Sequence, residues 1–389
     1  MSGNEPALDV IRDYLTEPGL SDSARVRKVL RNLRELFPPY SSGSLAVVKR
    51  ESSGLGVVST RAINKGELVL VDHPVVSLTD LDLASSEFVN CDGGDSLALS
   101  AAICSQFNET VEECFRNLYP IRTRTHIPDD AELNNELLGA LMRVLPDDIS
   151  PTQFVRAVQL NSLGYYTFPE LVTYEEGLRF ISGTGIYAKG SMFNHSCSPN
   201  VNHYSIGDVT FFRALTDIEV GEELFISYIG RDLLVESKSI RDEFLDARDF
   251  QCSCAKCCLE QDVDDPWLEE LDISTRVELR LLKSPEDRIR FIQRTLAEHD
   301  YITRDVFELK FALARELGRE GTEIWNELLG KTNDVVDMQT IVVRMHYLRA
   351  FGESDSIVSE IEETGKLLLG SDIGSWKFIR SLFDMTDFN

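Results

Sequence analysis

Apolar residues follow two different periods in the first part of the chain. In SARVRKVLRNLRELFPP, residues 23–39, Val and Leu recur at helical spacing before two prolines, which predicts a helix, and residues 1–40 are expected to form two short helices. From Leu45 the apolar residues alternate, in SLAVVKRE, LGVVSTRAI and GELVLVDHPVVSL, which predicts strands. INKGE between the second and third of these segments indicates a hairpin or another turn.

The helical period returns twice further along the chain. Residues 85–160 are expected to be mostly helical, and strands are expected again in GDVTFFRALTDIEVGEELFISYI. From Pro266 onward, successive amphipathic helices are predicted, and there is no convincing internal repeat. The pattern predicts an α+β fold: a β-rich centre with a helical insertion, followed by an all-helical C-terminal domain.

Length and charge limit the classes of function. A chain of 389 residues is expected to form two or three domains. Its net charge of −26 argues against direct binding to nucleic acid, and it is compatible with a basic partner such as a Lys-rich protein tail, or with solubility alone. The apolar runs fall short of the ~18 residues needed to span a bilayer, and no signal peptide is evident, so a cytoplasmic or nuclear protein without membrane contact is expected.

Four of the eight cysteines crowd into the segment FQCSCAKCC. Cys252, Cys254 and Cys257 have the spacing C-x-C-x-x-C, which lets three thiolates converge as tetrahedral zinc requires. Cys258 is poorly placed as a fourth ligand because it directly follows Cys257, and Cys197 is the candidate from elsewhere in the chain. The alternative is a set of reduced thiols without a metal.

The segment GSMFNHSCSPNVNH, residues 190–203, has an unusual density of small polar groups. It is open to three interpretations: a metal site, a nucleophile with its base, or a loop whose buried backbone needs many hydrogen bonds.

Three ordered motifs resemble the catalytic core of SET-domain protein lysine methyltransferases, and their order and spacing are closest to the SMYD subfamily. They are NHSCSPN, then DIEVGEELFISY, then FQCSCAKC, and SGLGVVSTRAINKGELVLVDHP is similar to the N-terminal strands of that domain. The resemblance covers roughly residues 44–84 and 156–260. It implies a pseudoknot, S-adenosylmethionine as methyl donor, a structural zinc ion in a post-SET segment, and a monomer that methylates a lysine.

The resemblance also implies roles for individual residues. Tyr228 would be the catalytic hydroxyl that lines the transfer pore and orients the amine, and Cys197, Cys252, Cys254 and Cys257 would bind zinc. His195 would hold the cofactor and the pseudoknot, with a base or a metal ligand as the weaker readings. The positions that would contact the cofactor are Gly54, Leu55, Gly56, Asn161, Ser191, Asn194, His195, Tyr228 and Phe250.

The chain also departs from the SMYD pattern. Between residues 85 and 155 only Cys91, Cys104 and Cys114 occur, with no paired C-x-x-C, so no MYND zinc finger is expected. Ser53 and Leu55 replace the polar residues that flank the glycine turn. Leu163 and Arg248 replace two aromatic residues that usually wall the lysine channel, and Tyr165, Tyr166 or Phe168 could substitute for one of them.

Arg248 is the most consequential departure. An arginine in the amine channel would repel a protonated lysine and would suit an acceptor that carries a carboxylate, whereas an arginine facing solvent would have neither effect. Three hypotheses follow: a protein-lysine N-methyltransferase, a SET-fold enzyme acting on a small molecule such as a small amine, or a non-catalytic SET scaffold that binds partners.

The resemblance, read together with the helical pattern, divides the chain into six segments. They are an N-terminal helical segment (1–40), the SET domain in two parts (41–84 and 156–230), a helical insertion (85–155), a post-SET zinc-binding segment (231–262) and a helical C-terminal domain (263–389).

Overall fold

A computed structural model describes most of the chain and divides it into two compact units. The described residues are 23–50, 54–88, 94–121, 135–166, 182–230, 233–234, 238–246, 248, 250–260, 278, 281–298, 304–332, 338–371 and 374–385. The first unit comprises residues 1–169, 173–194 and 200–226, and the second comprises residues 170–172, 195–199 and 227–389. The six segment boundaries expected from the sequence stay predictions, and the first of the two N-terminal helices lies outside the described residues.

The described strands form the β-rich centre expected from the sequence. They are β1 Tyr40–Ser41, β2 Leu45–Arg50, β3 Gly54–Ser59, β4 Leu68–Asp72, β5 Pro74–Thr79, β6 Ser162–Tyr166, β7 Ser182–Tyr187, β8 Asn194–His195, β9 Val201–Ile206, β10 Val209–Ala214 and β11 Glu223–Ile226. They form three sheets, in the orders β1-β4-β10-β9, β2-β3-β11-β8 and β5-β7-β6. Each pairing with a described register is antiparallel.

The segment INKGE is a turn between two sheets. The Glu67 N–H donates to the Asn64 carbonyl at 3.0 Å, and Gly66 has a φ of +81°, which glycine adopts without a steric penalty. Of the two alternatives, the hairpin is excluded, because β3 pairs with β2 and β11 whereas β4 pairs with β1 and β10. The residues therefore carry the chain from one sheet to the next.

Six described helices belong to the first unit. They are α1 Ser23–Leu36, α2 Asp80–Ala84, α3 Gly94–Ser105, α4 Glu109–Arg116, α5 Asn135–Val144 and α6 Pro151–Asn161. The apolar faces of α3 to α6 pack together with Val76 of β5 and Ile186 of β7, and the buried Phe115 and Phe154 rings lie 4.5 Å apart within this core. The helical insertion expected between residues 85 and 160 is present in the described ranges.

The second unit is helical, as its amphipathic pattern predicts. Its helices are α7 Lys238–Asp246, α8 Ala255–Leu259, α9 Pro285–Glu298, α10 Arg304–Leu317, α11 Thr322–Thr332, α12 Met338–Phe351, α13 Asp355–Leu369 and α14 Trp376–Met385. Phe291 of α9 and Leu313 of α10 belong to one hydrophobic cluster, and the buried Trp325 of α11 packs with Val343 of α12. The α+β class with a helical C-terminal region is confirmed, and the pseudoknot stays a prediction.

Candidate functional site

In the first unit, the predicted glycine turn lies beside Asn194. The Asn194 amide Nδ2 donates to the Leu55 carbonyl at 2.8 Å and to the Glu223 carboxylate at 2.7 Å. Gly54 has a φ of +76°, and a Cβ on it would meet nothing within 4 Å, whereas a Cβ on Gly56 would overlap the Glu223 carboxylate and lie 3.0 Å from Asn194 Nδ2. The two glycines are needed for different reasons: Gly54 for its backbone conformation and Gly56 for the close approach of Glu223.

A buried carboxylate orders the turn that leads to Ser191. Asp72 Oδ2, at the end of β4, accepts the N–H groups of Lys189 (3.0 Å) and Gly190 (2.8 Å). Burial raises the pKa of Asp72, and these two N–H groups partly offset the effect because they stabilise the charged form. Asp72 therefore holds the 3₁₀ turn Gly190–Met192 in place.

Ser191 and Asn161 are joined directly. The Ser191 hydroxyl donates to the Asn161 carbonyl at 2.9 Å, and Asn161 Nδ2 donates to the carbonyls of Tyr119 (2.7 Å) and Ala157 (2.8 Å). These bonds cap the end of α6 and tie it to the 3₁₀ turn. Leu163 follows in β6 and is buried.

Tyr165 is wholly buried within the three-stranded sheet. Its hydroxyl donates to the Leu78 carbonyl of β5 at 2.9 Å, so this tyrosine already has a partner in the protein. Its part in a substrate channel stays a prediction. The side chains of Tyr166 and Phe168, the other candidates to replace a channel aromatic, lie outside the described residues.

Asn200 shows why residues 190–203 are so polar. Its Oδ1 accepts the Phe225 N–H at 2.7 Å and its Nδ2 donates to the Glu223 carbonyl at 2.8 Å, so one side chain pairs two backbone groups of β11. Together with Asn194, which donates to the Leu55 carbonyl, it supplies side-chain partners to backbone groups of β3 and β11. Of the three interpretations, the loop with many hydrogen bonds describes these asparagines.

In the second unit, His195 binds the backbone of Tyr228. The Tyr228 N–H donates to His195 Nδ1 at 2.9 Å, and His195 Nε2 lies 3.3 Å from Cys197 Sγ. Because a backbone N–H only donates, Nδ1 is the acceptor and the ring proton is on Nε2, directed at the sulfur. The buried imidazole therefore connects Tyr228 to a cysteine.

Three side chains surround the Tyr228 ring. Phe250 meets it edge-on with centroids 6.0 Å apart, the His195 ring is 5.4 Å away, and the Arg248 guanidinium lies over its face at 5.3 Å from the centroid. Burial lowers the pKa of Arg248, because the charged form loses solvation. Arg248 therefore lies against the predicted catalytic tyrosine, and its place in an amine channel stays a prediction.

The four predicted ligands form one cluster. The sulfurs of Cys197, Cys252, Cys254 and Cys257 all lie within 4.8 Å of one another, and those of Cys197 and Cys257 are 3.6 Å apart. A tetrahedral zinc–thiolate site with bonds of ~2.3 Å separates its sulfurs by about 3.8 Å, so the cluster fits a zinc ion. Cys258 is exposed and lies outside the cluster, with its thiol directed at the Ser253 carbonyl.

A buried arginine accompanies these cysteines. The Arg241 side chain is 0% exposed, and its Nη2 lies 3.5 Å from Cys257 Sγ and 2.6 Å from the Glu260 carboxylate. Hydrogen bonding by Cys197 lowers the pKa of Cys252, while the same contact raises the pKa of Cys197. The cluster is therefore an electrostatically linked group of thiols beside one cation.

Within each unit, the structure groups residues that are distant in sequence. In the first unit, Gly54, Leu55 and Gly56 meet Asn194, and Asn161 meets Ser191; in the second, His195 meets Tyr228, Phe250 and Cys197. Sequence reasoning missed Asp72 and Arg241. The one signal for Arg241 in the sequence is its position eleven residues before the cysteine motif. That signal is weak, because a charged residue in an amphipathic helix ordinarily faces solvent.

Comparison with known proteins finds a known domain within this chain. The family model for the SET domain matches residues 54–229. Human histone-lysine N-methyltransferase SMYD3 is 43% identical over 75 residues, which are 19% of this chain and 17% of SMYD3. N-lysine methyltransferase SMYD2-B of Xenopus laevis is 37% identical over 103 residues, 26% of this chain and 21% of that protein.

These relatives are matched only in part. The matched stretch spans less than a third of the length of either SMYD relative. The crystal structure of the SET domain of LSMT bound to lysine and AdoHcy aligns with 94% of this chain and 91% of its own, at 11% identity and a TM-score of 0.32, which is too low to support an argument. No described helix is long and apolar enough to cross a membrane.

Proposed function

We propose that this chain is an S-adenosylmethionine-dependent N-methyltransferase that acts on a lysine side chain of a protein. The observation that carries the proposal is the SET-domain match over residues 54–229, which includes the glycine turn, the NHSC segment and Tyr228. The SMYD2 and SMYD3 relatives named above are lysine methyltransferases. A cytoplasmic or nuclear monomer without nucleic-acid or membrane contact stays the expectation from the sequence.

The residues that would contact the cofactor are those that the resemblance implies. We assign Gly54, Leu55, Gly56, Asn161, Ser191, Asn194, His195, Tyr228 and Phe250 to this role. Two observations support the assignment. The side of Gly54 that a Cβ would occupy is open, which allows a ligand to approach the backbone, and Ser191 and Asn194 are only partly buried.

The residues would act by positioning and by removing water. Bound S-adenosylmethionine would supply a sulfonium methyl group to the amine nitrogen and would leave as S-adenosylhomocysteine. The lysine must first lose a proton, which at neutral pH costs about 4 kcal/mol for a pKa near 10.4. The Tyr228 hydroxyl would orient the neutral amine, and Phe250 would exclude water.

The four-cysteine cluster would hold a structural zinc ion. Its sulfurs fit the spacing of tetrahedral zinc, and soft thiolates are the ligands that zinc prefers. Bound zinc would fix Cys197 to the segment that carries Cys252, Cys254 and Cys257. Because His195 contacts both Cys197 and Tyr228, the metal would also stabilise the position of the catalytic tyrosine.

A small-molecule acceptor is the second candidate function. The observation that favours it is the position of Arg248 over the Tyr228 ring, since a cation beside the transfer site suits an amine that carries its own carboxylate.

The test measures cofactor binding and turnover with the full chain. Calorimetry should show S-adenosylmethionine binding, and a panel of lysine-containing proteins and small amines should produce S-adenosylhomocysteine. Tyr228→Phe should lower kcat by about 100-fold or more with binding retained, whereas Tyr40→Phe, at an exposed tyrosine in β1, should match the wild type. No binding together with no turnover would overturn the proposal.

A further inference from the structure

Arg248 lies against Tyr228 in the second unit. Its backbone N–H donates to the Leu245 carbonyl at 2.8 Å, directly after α7, and Leu245 is fully buried. Its guanidinium carbon lies over the Tyr228 ring at 5.3 Å from the centroid, and Arg248 itself is partly buried. A partly buried guanidinium in this position places a positive charge beside Tyr228, since arginine stays protonated at neutral pH.

An arginine that lies over an aromatic ring can also bind a carboxylate. A guanidinium contacts an aromatic ring through its face and a carboxylate through the N–H groups in its plane, so the two interactions are compatible. Partial burial strengthens attraction to an anion and repulsion of a cation, because less water screens them. Arg248 would therefore favour an acceptor with a negative group next to its amine and disfavour one with a positive group there.

We propose that Arg248 selects acceptors in which a carboxylate lies next to the amine that receives the methyl group. This inference rests on the proposed methyltransferase function and names its substrate class. In a protein, the acceptor would be a lysine flanked by Asp or Glu. The chain's net charge of −26 attracts basic partners at long range, whereas Arg248 acts on the immediate neighbours of the target lysine.

The test uses three peptides of one length, with a central lysine flanked by Glu, Gln or Lys. For the full-length wild type, kcat/KM should be about tenfold or more higher with Glu than with Gln, and lowest with Lys. Arg248→Gln should remove the preference, and Arg248→Glu should invert it. Arg294→Gln should keep the wild-type preference, since Arg294 lies over the ring of Phe291 in α9 and serves as a matched control.

Two further measurements complete the test. Thermal melting shows whether each variant is folded, and Arg248→Lys keeps the charge without the planar fork, so it should retain a reduced preference for Glu. Free lysine compared with lysinamide separates a small acidic acceptor from a peptide. Turnover with no charge preference, or with a preference unchanged in Arg248→Gln, would overturn this inference alone, whereas no turnover and no cofactor binding would overturn the proposed function as well.

A separate observation concerns Arg241. Four thiolates around a zinc ion carry a net charge of −2, and placing that charge in a buried cluster is costly unless a cation compensates it. Arg241 is fully buried, contacts Cys257 Sγ at 3.5 Å and is bound by Glu260 at 2.6 Å. We infer that Arg241 is a positioning residue that raises the metal affinity of the cluster, with Glu260 holding its guanidinium in place.

The second test measures zinc content and competition with a chromophoric chelator on the purified full-length protein. Arg241→Gln should bind zinc about 10- to 100-fold more weakly, Arg241→Lys should be intermediate, and Glu260→Gln should weaken binding less. Arg288→Gln removes a similar ion pair, with Glu316 on another pair of helices, and should leave zinc affinity unchanged. Equal affinity in wild type, Arg241→Gln and Glu260→Gln, or a wild type that binds no zinc, would overturn the inference.

Discussion

The backbone N–H of Tyr228 donates a hydrogen bond to Nδ1 of His195 at 2.9 Å, although 32 residues separate the two in the sequence. The same imidazole presents Nε2 to Cys197 Sγ at 3.3 Å. His195 is 7% exposed, so both nitrogens meet protein groups with little access to water. The residue therefore links the tyrosine to the cysteine cluster in one fixed tautomer.

Two substitutions separate the roles of the two ring nitrogens. Asn places its amide where Nδ1 stands, and Gln places its amide near Nε2. His195→Asn should keep the bond to Tyr228 and most of the turnover, whereas His195→Gln leaves a buried N–H unpaired and should lose about 1–3 kcal/mol of stability and much of the turnover. S-adenosylhomocysteine formation and denaturant unfolding measure these effects. Identical behaviour of the two variants would contradict the linkage.

Neighbouring cysteines should differ sharply in their contribution to metal binding. Cys257→Ser removes a buried member of the cluster, so the variant should lose its zinc and melt at a lower temperature, because zinc binding contributes directly to folding. Cys258→Ser, at an exposed thiol one residue away, should retain zinc and the wild-type Tm. Metal analysis and thermal unfolding, with and without EDTA, check both. Loss of zinc from Cys258→Ser would show that the ligand set is wrong.

The two glycines of the turn should respond differently to alanine. Gly54→Ala should cost about 1–2 kcal/mol, since its φ of +76° is unfavourable for a residue with a Cβ. Gly56→Ala should displace the Glu223 carboxylate and cost about 1 kcal/mol through the lost bond to Asn194.

Adding Glu223→Ala distinguishes the strained backbone at position 54 from the overlap with the Glu223 carboxylate at position 56. A double-mutant cycle measured by denaturant unfolding should show that Gly56→Ala costs less when Glu223 is already Ala, because the overlapping carboxylate is gone. The cost of Gly54→Ala should be the same in both backgrounds. Additive behaviour of Gly56→Ala with Glu223→Ala would mean that Glu223 does not limit the space at Gly56.

His346 should make the protein sensitive to mild acid. Burial, followed by repulsion from Arg315 and Arg349, lowers the pKa of His346 to about 3. The unfolded chain binds a proton near pH 6.5, so the stability that a neutral His346 provides is present above pH 6.5 and is lost as the pH falls toward 3. The loss should be at most ~1.4 kcal/mol per pH unit.

Replacing His346 with phenylalanine keeps an aromatic ring at position 346 and removes the titrating group. His346→Phe preserves the edge-to-face packing on Phe311, whose centroid is 5.3 Å away, and it should flatten the stability profile between pH 6.5 and pH 4. The unfolding free energies of variant and wild type should differ least near pH 8. A wild type whose stability has the same slope as that of His346→Phe below pH 6 would exclude this histidine as the cause.

Local patterns in the sequence determined the elements and the candidate site. Alternation and helical spacing depend only on near neighbours, so β2 to β5, the helical insertion and the C-terminal helices were predictable. The set Cys197, Cys252, Cys254 and Cys257 was also predictable, because motif spacing and the resemblance restricted the choice of ligands.

Contacts between distant residues were decided only by the tertiary structure. Whether a side chain is buried depends on what packs over it, and that information is not contained in its own segment. The burial of Arg241, the position of Arg248 over Tyr228 and the partner of Tyr165 all depend on other segments of the chain. The tautomer of His195 likewise follows from a backbone N–H that only the folded chain brings within hydrogen-bonding distance.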